Sequence, residues 1–262
     1  MYKEKKINVF VQISMTSSRL PKKALIPIAG KNSAERVIVA IEKSNYIDNV
    51  ILTFTTEKVD DALEEWAIKN NKLYFRGNFK NVVKRYKDAL EEYPCDYLIR
   101  VTGDCPIISV DLLDKLIEEL YINNEREYIK YYSGILPIGI GGEIMTSQAI
   151  DKLLSYNLNL EYSEYMTYYF INNPHIFNIT NINPPNKYNF PNYRLTLDYV
   201  EDLLMFEELF QKLPINHQSN LDEVIKILRE NSEISNINSH LSLKYKSDKK
   251  LIQLLDNVTR IS

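Results

Sequence analysis

The sequence predicts an α/β fold: a largely parallel sheet covered by helices on both faces. Two observations carry this. Short β-branched runs at residues 7–13, 50–55, 73–75 and 97–102 alternate with helical patterns at 33–43, 60–70 and 81–93, and another helix is predicted at 110–121. The runs are continuously apolar, the pattern of strands buried on both sides rather than on one.

The elements follow in order. The opening segment, MYKEKKINVFVQI, has a short apolar run that gives way to Ser14, Thr16, Ser17 and Ser18, so it reads as a first strand and not as a signal peptide. Asp60 and Asn81 are helix starts by residue type. Residues 128–145 are rich in Tyr, Ile and Gly and read as extended structure leading into a helix at 147–156. A helix at 163–172 ends at Asn173-Pro174, because the residue before proline is pushed out of helical geometry. Residues 176–182 alternate as a strand, and 184–192 form a Pro/Asn loop. A short strand at 194–197 delivers Asp198, and an amphipathic helix runs over 200–212. Residues 214–219 read as a linker and 221–229 as a helix. From Ser235 the pattern is polar and irregular, and a loosely packed tail is expected.

Composition excludes several classes. The chain has 262 residues, 45% of them apolar, enough for one large α/β domain with a core of its own. The net charge of -3 gives no general attraction to nucleic acid or acidic membranes, so neither is an expected partner. No stretch approaches the roughly 20 apolar residues that span a bilayer. Cys95 and Cys105 form no CxxC pair, and His175, His217 and His240 are scattered. Neither a zinc site nor a disulfide framework is expected, and reduced thiols fit a cytoplasmic protein.

Six segments could carry chemistry. SMTSSRLPKK (14–23) follows the first strand, where open α/β sheets bind ligands. Its hydroxyls at Ser14, Thr16 and Ser18, with Arg19, Lys22 and Lys23, suit a polyphosphate, a solvated basic turn being the alternative. RVTGDCP (100–106) ends the fourth strand. Gly103 there permits a sharp turn, and Asp104 is either a Mg2+ ligand or a turn aspartate. RLTLD (194–198) ends in Asp198, which either caps a helix or joins Asp104 at a metal. In RGNFKNVVKRY (76–86), Arg76 and Arg85 either reach a nucleoside or are surface charges. GIGGE (139–143) and SEYMTYY (163–169) offer Glu143, Glu164 and Thr167 as acceptor-side groups. GIGG is no dinucleotide fingerprint.

In this order and spacing, VQISMTSSRLPKK, YFRG, VVKRY, RVTGDCP, SEYMTYY and RLTLDYVEDL resemble the SpsF-type cytidylyltransferases, relatives of the CMP-Kdo and CMP-sialic acid synthetases. The likeness covers about residues 7–212. It implies a Rossmann-like nucleotide-diphosphosugar-transferase fold, with a mixed, mostly parallel sheet, helices on both faces and a small β excursion used in dimer contacts. It divides the chain into a nucleotidyltransferase domain over 1–213 and an appended C-terminal helix and tail over 214–262. It implies transfer of CMP from CTP to a small anionic acceptor with release of pyrophosphate, for surface polysaccharide or glycoconjugate synthesis, in a homodimer. The implied cofactor is Mg2+ on Asp104 and Asp198, with Arg19 and Lys23 as the catalytic cations. Ser14, Thr16, Ser18, Arg76, Arg85, Arg100, Thr102 and Gly103 complete the nucleotide side, and Glu143, Glu164 and Thr167 the acceptor side. The family loop runs close to Q-A-R-M-G-S-T-R-L-P-G-K. Here Ser14 replaces its first Arg, Thr16 and Lys22 its two glycines, and Tyr165 stands where a His is expected. A nucleotide-sugar-dependent glycosyltransferase is the nearest alternative, although no Asp-x-Asp triplet occurs, and a non-catalytic nucleotide-binding relative is another.

Overall fold

The computed structural model describes residues 4–122, 126–156, 158, 160–214 and 219–261. In chain order the elements are β1 (Ile7–Gln12), β2 (Pro27–Ile28), β3 (Lys31–Asn32), α1 (Ser33–Ile41), β4 (Asn49–Thr55), α2 (Asp61–Lys69), β5 (Leu73–Gly77), α3 (Val82–Glu92), β6 (Tyr97–Thr102) and α4 (Val110–Leu120). There follow β7 (Tyr128–Tyr131), β8 (Glu143–Thr146), α5 (Ser147–Ser155), α6 (Met166–Ile171), β9 (Ile179–Ile182), α7 (Val200–Lys212), α8 (Leu221–Glu230), α9 (Ser232–Asn236), α10 (Lys244–Ser247) and α11 (Lys249–Val258).

Seven strands form one sheet in the order β5-β4-β1-β6-β8-β7-β9. Only β8 opposes its neighbours, pairing antiparallel with β6 and β7. Strand alternation divides the core between the two faces. Ile7, Val9 and Val11 of β1 join the cluster under α1, α4, α7 and α8, whereas Phe10 joins the cluster under α3, α5 and α6. Continuous apolar strands are the consequence, because both faces need apolar cover.

Helix starts follow the capping chemistry expected of polar side chains before helices. The Asn81 side chain accepts from Lys84 N–H at α3, and Ser109 and Thr146 do the same for α4 and α5. Asp60 precedes α2 but does not cap it. Its carboxylate turns the other way, toward the loop after β1.

Three expectations are corrected. Residues 194–197 do not form a strand: Arg194 makes a single parallel bridge with Ile138, and the segment is otherwise extended coil. The stretch after Ser235 is not irregular, since α11 spans Lys249–Val258 and Thr259 is fully buried against α6, where Asn172 and Asn173 hold it. The strand predicted over 176–182 is confined to β9, because Ile176 and Phe177 instead close a turn on Asn173. Of the linker expected over 214–219, residues 215–218 lie outside the described residues, and with them His217.

The topology fixes where a ligand would bind. From β1 the chain builds outward through β4 and β5, then returns to lay β6 on the other side of β1. This reversal opens a crevice at the carboxyl ends of β1 and β6. Residues 14–23 and 102–105 both lie there.

Candidate active site

A cavity of ≈ 440 Å³ opens at that reversal point. Its floor depends on Gly103: a Cβ at this position would come within 2.7 Å of the Ile13 side chain, so only glycine lets the β6 turn close against the end of β1. The 194–198 segment reaches the same place through Gly139, whose φ of +94° and backbone approach to Leu195 exclude any side chain. Leu197 N–H then donates to the Asp104 carbonyl at 2.8 Å. Backbone pairing therefore brings the two aspartates together before their side chains are considered.

Between them lies Lys23. Its ammonium donates to Asp104 Oδ2 at 2.6 Å and to Asp198 Oδ1 at 2.7 Å. Arg19 donates to the same Asp198 oxygen at 2.7 Å, and Arg194 donates to the other at 3.0 Å. The Arg19 guanidinium also lies 5.1 Å from the Tyr199 ring centroid, over its face. Burial alone would raise the Asp198 carboxyl, but the charges of Lys23, Arg19 and Arg194 outweigh it and hold this carboxyl below its ordinary value of 3.8. Burial likewise favours a neutral Lys23, and the two aspartates outweigh it, so the ammonium is held above 10.5.

The cluster has the make-up of a cation site. Among the described residues, no group of three or more His, Cys, Asp or Glu side chains could enclose a metal. Two carboxylates are nevertheless the usual protein share for Mg2+, which keeps waters and takes phosphate oxygens for the rest of its shell. The ammonium between Asp104 and Asp198 shows that the gap already accommodates positive charge, so the donor set fits a divalent cation.

The loop holds its shape through side chains rather than glycines. Asp60 is fully buried and accepts from Met15 N–H at 2.7 Å, Ser14 Oγ at 3.3 Å, and the N–H and Oγ1 of Thr55 at 3.0 and 2.5 Å. Ser14 Oγ in turn accepts from Thr16 N–H at 3.1 Å. Lys22 takes the left-handed conformation, φ +61°, which favours glycine, whereas Thr16 does not. One of the two glycine replacements is thus strained and the other is not.

A family model described as cytidylyltransferase matches residues 9–249. The chain belongs to the cytidylyltransferase family. This cytidylyltransferase is 30% identical over 239 residues to the uncharacterized protein MJ1063 of Methanocaldococcus jannaschii, covering 91% of this chain and 97% of that one. It is 28% identical to the spore coat polysaccharide biosynthesis protein SpsF of Bacillus subtilis, covering 85% and 94%. A solved cytidylyltransferase from Leptospira borgpetersenii serovar Hardjo-bovis superposes with a TM-score of 0.81 at 28% identity, over 91% of this chain and 99% of that one. The enzyme is a nucleotidyltransferase, which sets aside the glycosyltransferase reading, and its mixed α/β sheet is the fold expected for it.

The remaining predicted residues divide into two groups. Ser14, Thr16, Ser18, Arg85, Thr102, Gly103 and Glu164 line the cavity together with Arg19, Lys23, Asp104 and Asp198, and so does Tyr165. Arg85 is 3% exposed and donates to the carbonyls of Asn78 and Phe79. It forms no ion pair among the described residues, and burial lowers its pKa.

Arg76, Arg100, Glu143 and Thr167 are not in the cavity wall. Arg76 is drawn to the α2 side by Asp61 at 2.7 Å and Glu64 at 2.5 Å. Arg100 and Glu143 face each other in register on β6 and β8 and pair at 2.9 Å. Glu143 also accepts from Tyr128 and from Thr167, the latter at 2.7 Å. Burial would raise Glu143, but Arg100, the hydrogen bonds from Tyr128 and Thr167 and the charge of Lys130 together outweigh it and hold this carboxyl below its ordinary value.

Sequence reasoning missed Gln12 and Phe79, both of which line the cavity. Gln12 Oε1 accepts from Arg100 at 3.1 Å, and Phe79 is 46% exposed at the mouth. A polar residue closing the apolar run INVFVQ was the available signal for Gln12.

Proposed function

We propose that this cytidylyltransferase moves CMP from CTP to a small anionic acceptor, an acidic sugar or a phosphorylated molecule, with Mg2+ on Asp104 and Asp198. The observation that carries the reading is the Lys23 ammonium bridging those two carboxylates at the sheet's reversal point, beside a cationic loop.

The acceptor oxygen attacks the α-phosphorus in line. A new P–O bond forms as the bond from the α-phosphorus to the bridging oxygen of pyrophosphate breaks, and the acceptor proton passes to solvent. When bound, the metal neutralises phosphate charge and polarises the attacking oxygen. The chain aligns reactants and offsets charge. Lys23 and Arg19 carry the charge of the departing pyrophosphate, with the hydroxyls of Ser14, Thr16 and Ser18 orienting it. Arg85, Thr102 and Gly103 serve the nucleoside side. Glu164 and Tyr165 face the acceptor. Arg100, Glu143 and Thr167 act from behind, fixing Gln12 and the Glu164 backbone.

The SpsF likeness supports a place in making surface polysaccharide or glycoconjugate precursors. On the same resemblance we infer a cytoplasmic homodimer.

The test is pyrophosphate release from each of the four NTPs against a panel of acidic sugars and phosphorylated small molecules. The reading predicts turnover with CTP and an anionic acceptor. It also predicts a loss of about a hundredfold or more in Asp104→Asn and Asp198→Asn, the scale of removing one charge-stabilising group. Near-parental turnover in either variant contradicts it.

A further inference from the structure

We propose that Asn238, from the segment after the appended helix α8, is a positioning residue for Asp198; the proposal rests on the functional reading above. The chain of contacts from Asn238 to Asp198 is short and buried. Asn238 Nδ2 donates to Asp202 Oδ1 at 2.8 Å and to the Arg194 carbonyl at 3.0 Å. Asp202 receives Arg194 as a fork, Nε on Oδ1 at 2.8 Å and Nη2 on Oδ2 at 3.0 Å. Asp202 Oδ2 also accepts from the backbone N–H of Asp198 at 2.8 Å and of Tyr199 at 3.0 Å. Arg194 Nη2 then reaches the Asp198 carboxylate itself.

Each link fixes the next. Arg194 Nη1 is buried with no hydrogen-bond partner among the described residues, so the hydrogen bonds that hold the guanidinium are those to Asp202 and Asp198 along its other side. Asp202 Oδ1 is shared by Arg194 and Asn238, and Asn238 is the side-chain amide that also grips the Arg194 backbone. Without that amide, Asp202 loses a donor and the Arg194 fork loses its alignment. The Asp198 oxygen that faces Lys23 and Arg19 then loses the opposing contact that orients it. Outer partners of metal-ligating carboxylates commonly act this way. Asn238 is 1% exposed and Asp202 0%, so neither group is hydrated by bulk water in the parent.

The experiment uses the full chain with Mn2+ as probe in the presence of CTP, followed by electron paramagnetic resonance, alongside thermal melting. The parent should take up Mn2+ beyond that held by CTP alone. Asn238→Ala should weaken that uptake by about tenfold or more, the scale of losing an outer partner of a metal ligand. Ile234→Ala, a packing change in the same segment, should lower the melting temperature and leave Mn2+ affinity at the parental value. If Asn238→Ala fails to fold, Asn238→Ser, which keeps one donor, should show the same weakening to a lesser degree. Parental Mn2+ affinity in a folded Asn238 variant overturns this inference alone. Failure of the parent to take up Mn2+ overturns the functional reading, and the inference with it.

Discussion

Lys23 holds two carboxylates that would otherwise repel each other across a half-buried gap, and the consequence is a defined pH response. A carboxyl whose folded pKa lies below its unfolded value adds stability above the unfolded value, and that stability disappears as pH falls through the folded one. For Asp198 the loss therefore begins below 3.8. Lys23 has the opposite sign: its contribution is complete below 10.5 and is lost as pH rises through the raised folded value. The difference in urea midpoint between the parent and Asp198→Asn should stay constant between about pH 5 and about pH 9 and shrink on further acidification. A difference that varies across the neutral range contradicts the ion-pair assignment. The motifs SSRLPKK, TGDCP and RLTLD singled out Arg19, Lys23, Asp104 and Asp198, and the structure brings these four side chains together, although only the first two motifs follow a strand. It could not show that Arg100 and Glu143 satisfy each other, because that pairing depends on the register of β6 against β8, two elements far apart in the chain.

At the scale of elements, the loop between β1 and β2 is organised from a distance. Asp60, immediately before α2, supplies the carboxylate that a glycine-rich turn would not need. Asp60→Ala should destabilise the protein by about 2 kcal/mol, because buried donors at Met15 and Thr55 lose a charged acceptor. Calorimetric melting checks this, and an unchanged melting temperature would show that the loop is held by other means. The strands β1, β4, β5 and β6 were legible as apolar runs, and α1 to α5 as amphipathic or capped segments. Residues 194–197 misled because RLTL has a strand's composition, whereas its structure comes from a single bridge to Ile138 and the backbone contact with Asp104. The tail misled in the opposite sense: its polar composition concealed Thr259 and Ile261, which pack against α6 and Asn173.

At the scale of the molecule, the reversal of strand order between β1 and β6 sets everything else. It opens the cavity and places the cationic loop on one side and Asp104 on the other. The return of the chain through Gly139 then brings Asp198 alongside. Strand–helix alternation predicted the parallel part of this sheet. The family resemblance implied a mixed sheet without saying which strand runs antiparallel; that strand is β8, and residues 128–145 carry no periodicity that distinguishes the two directions.

The central claim is that Asp104 and Asp198 share one divalent cation in place of Lys23. Anomalous diffraction at the manganese edge, from crystals grown with Mn2+ and CTP, tests it most directly. The account predicts a peak at about 2.1 Å from oxygens of both carboxylates, with the Lys23 ammonium withdrawn from between them toward the phosphates. A manganese peak elsewhere, with Lys23 still bridging the two aspartates, would contradict it.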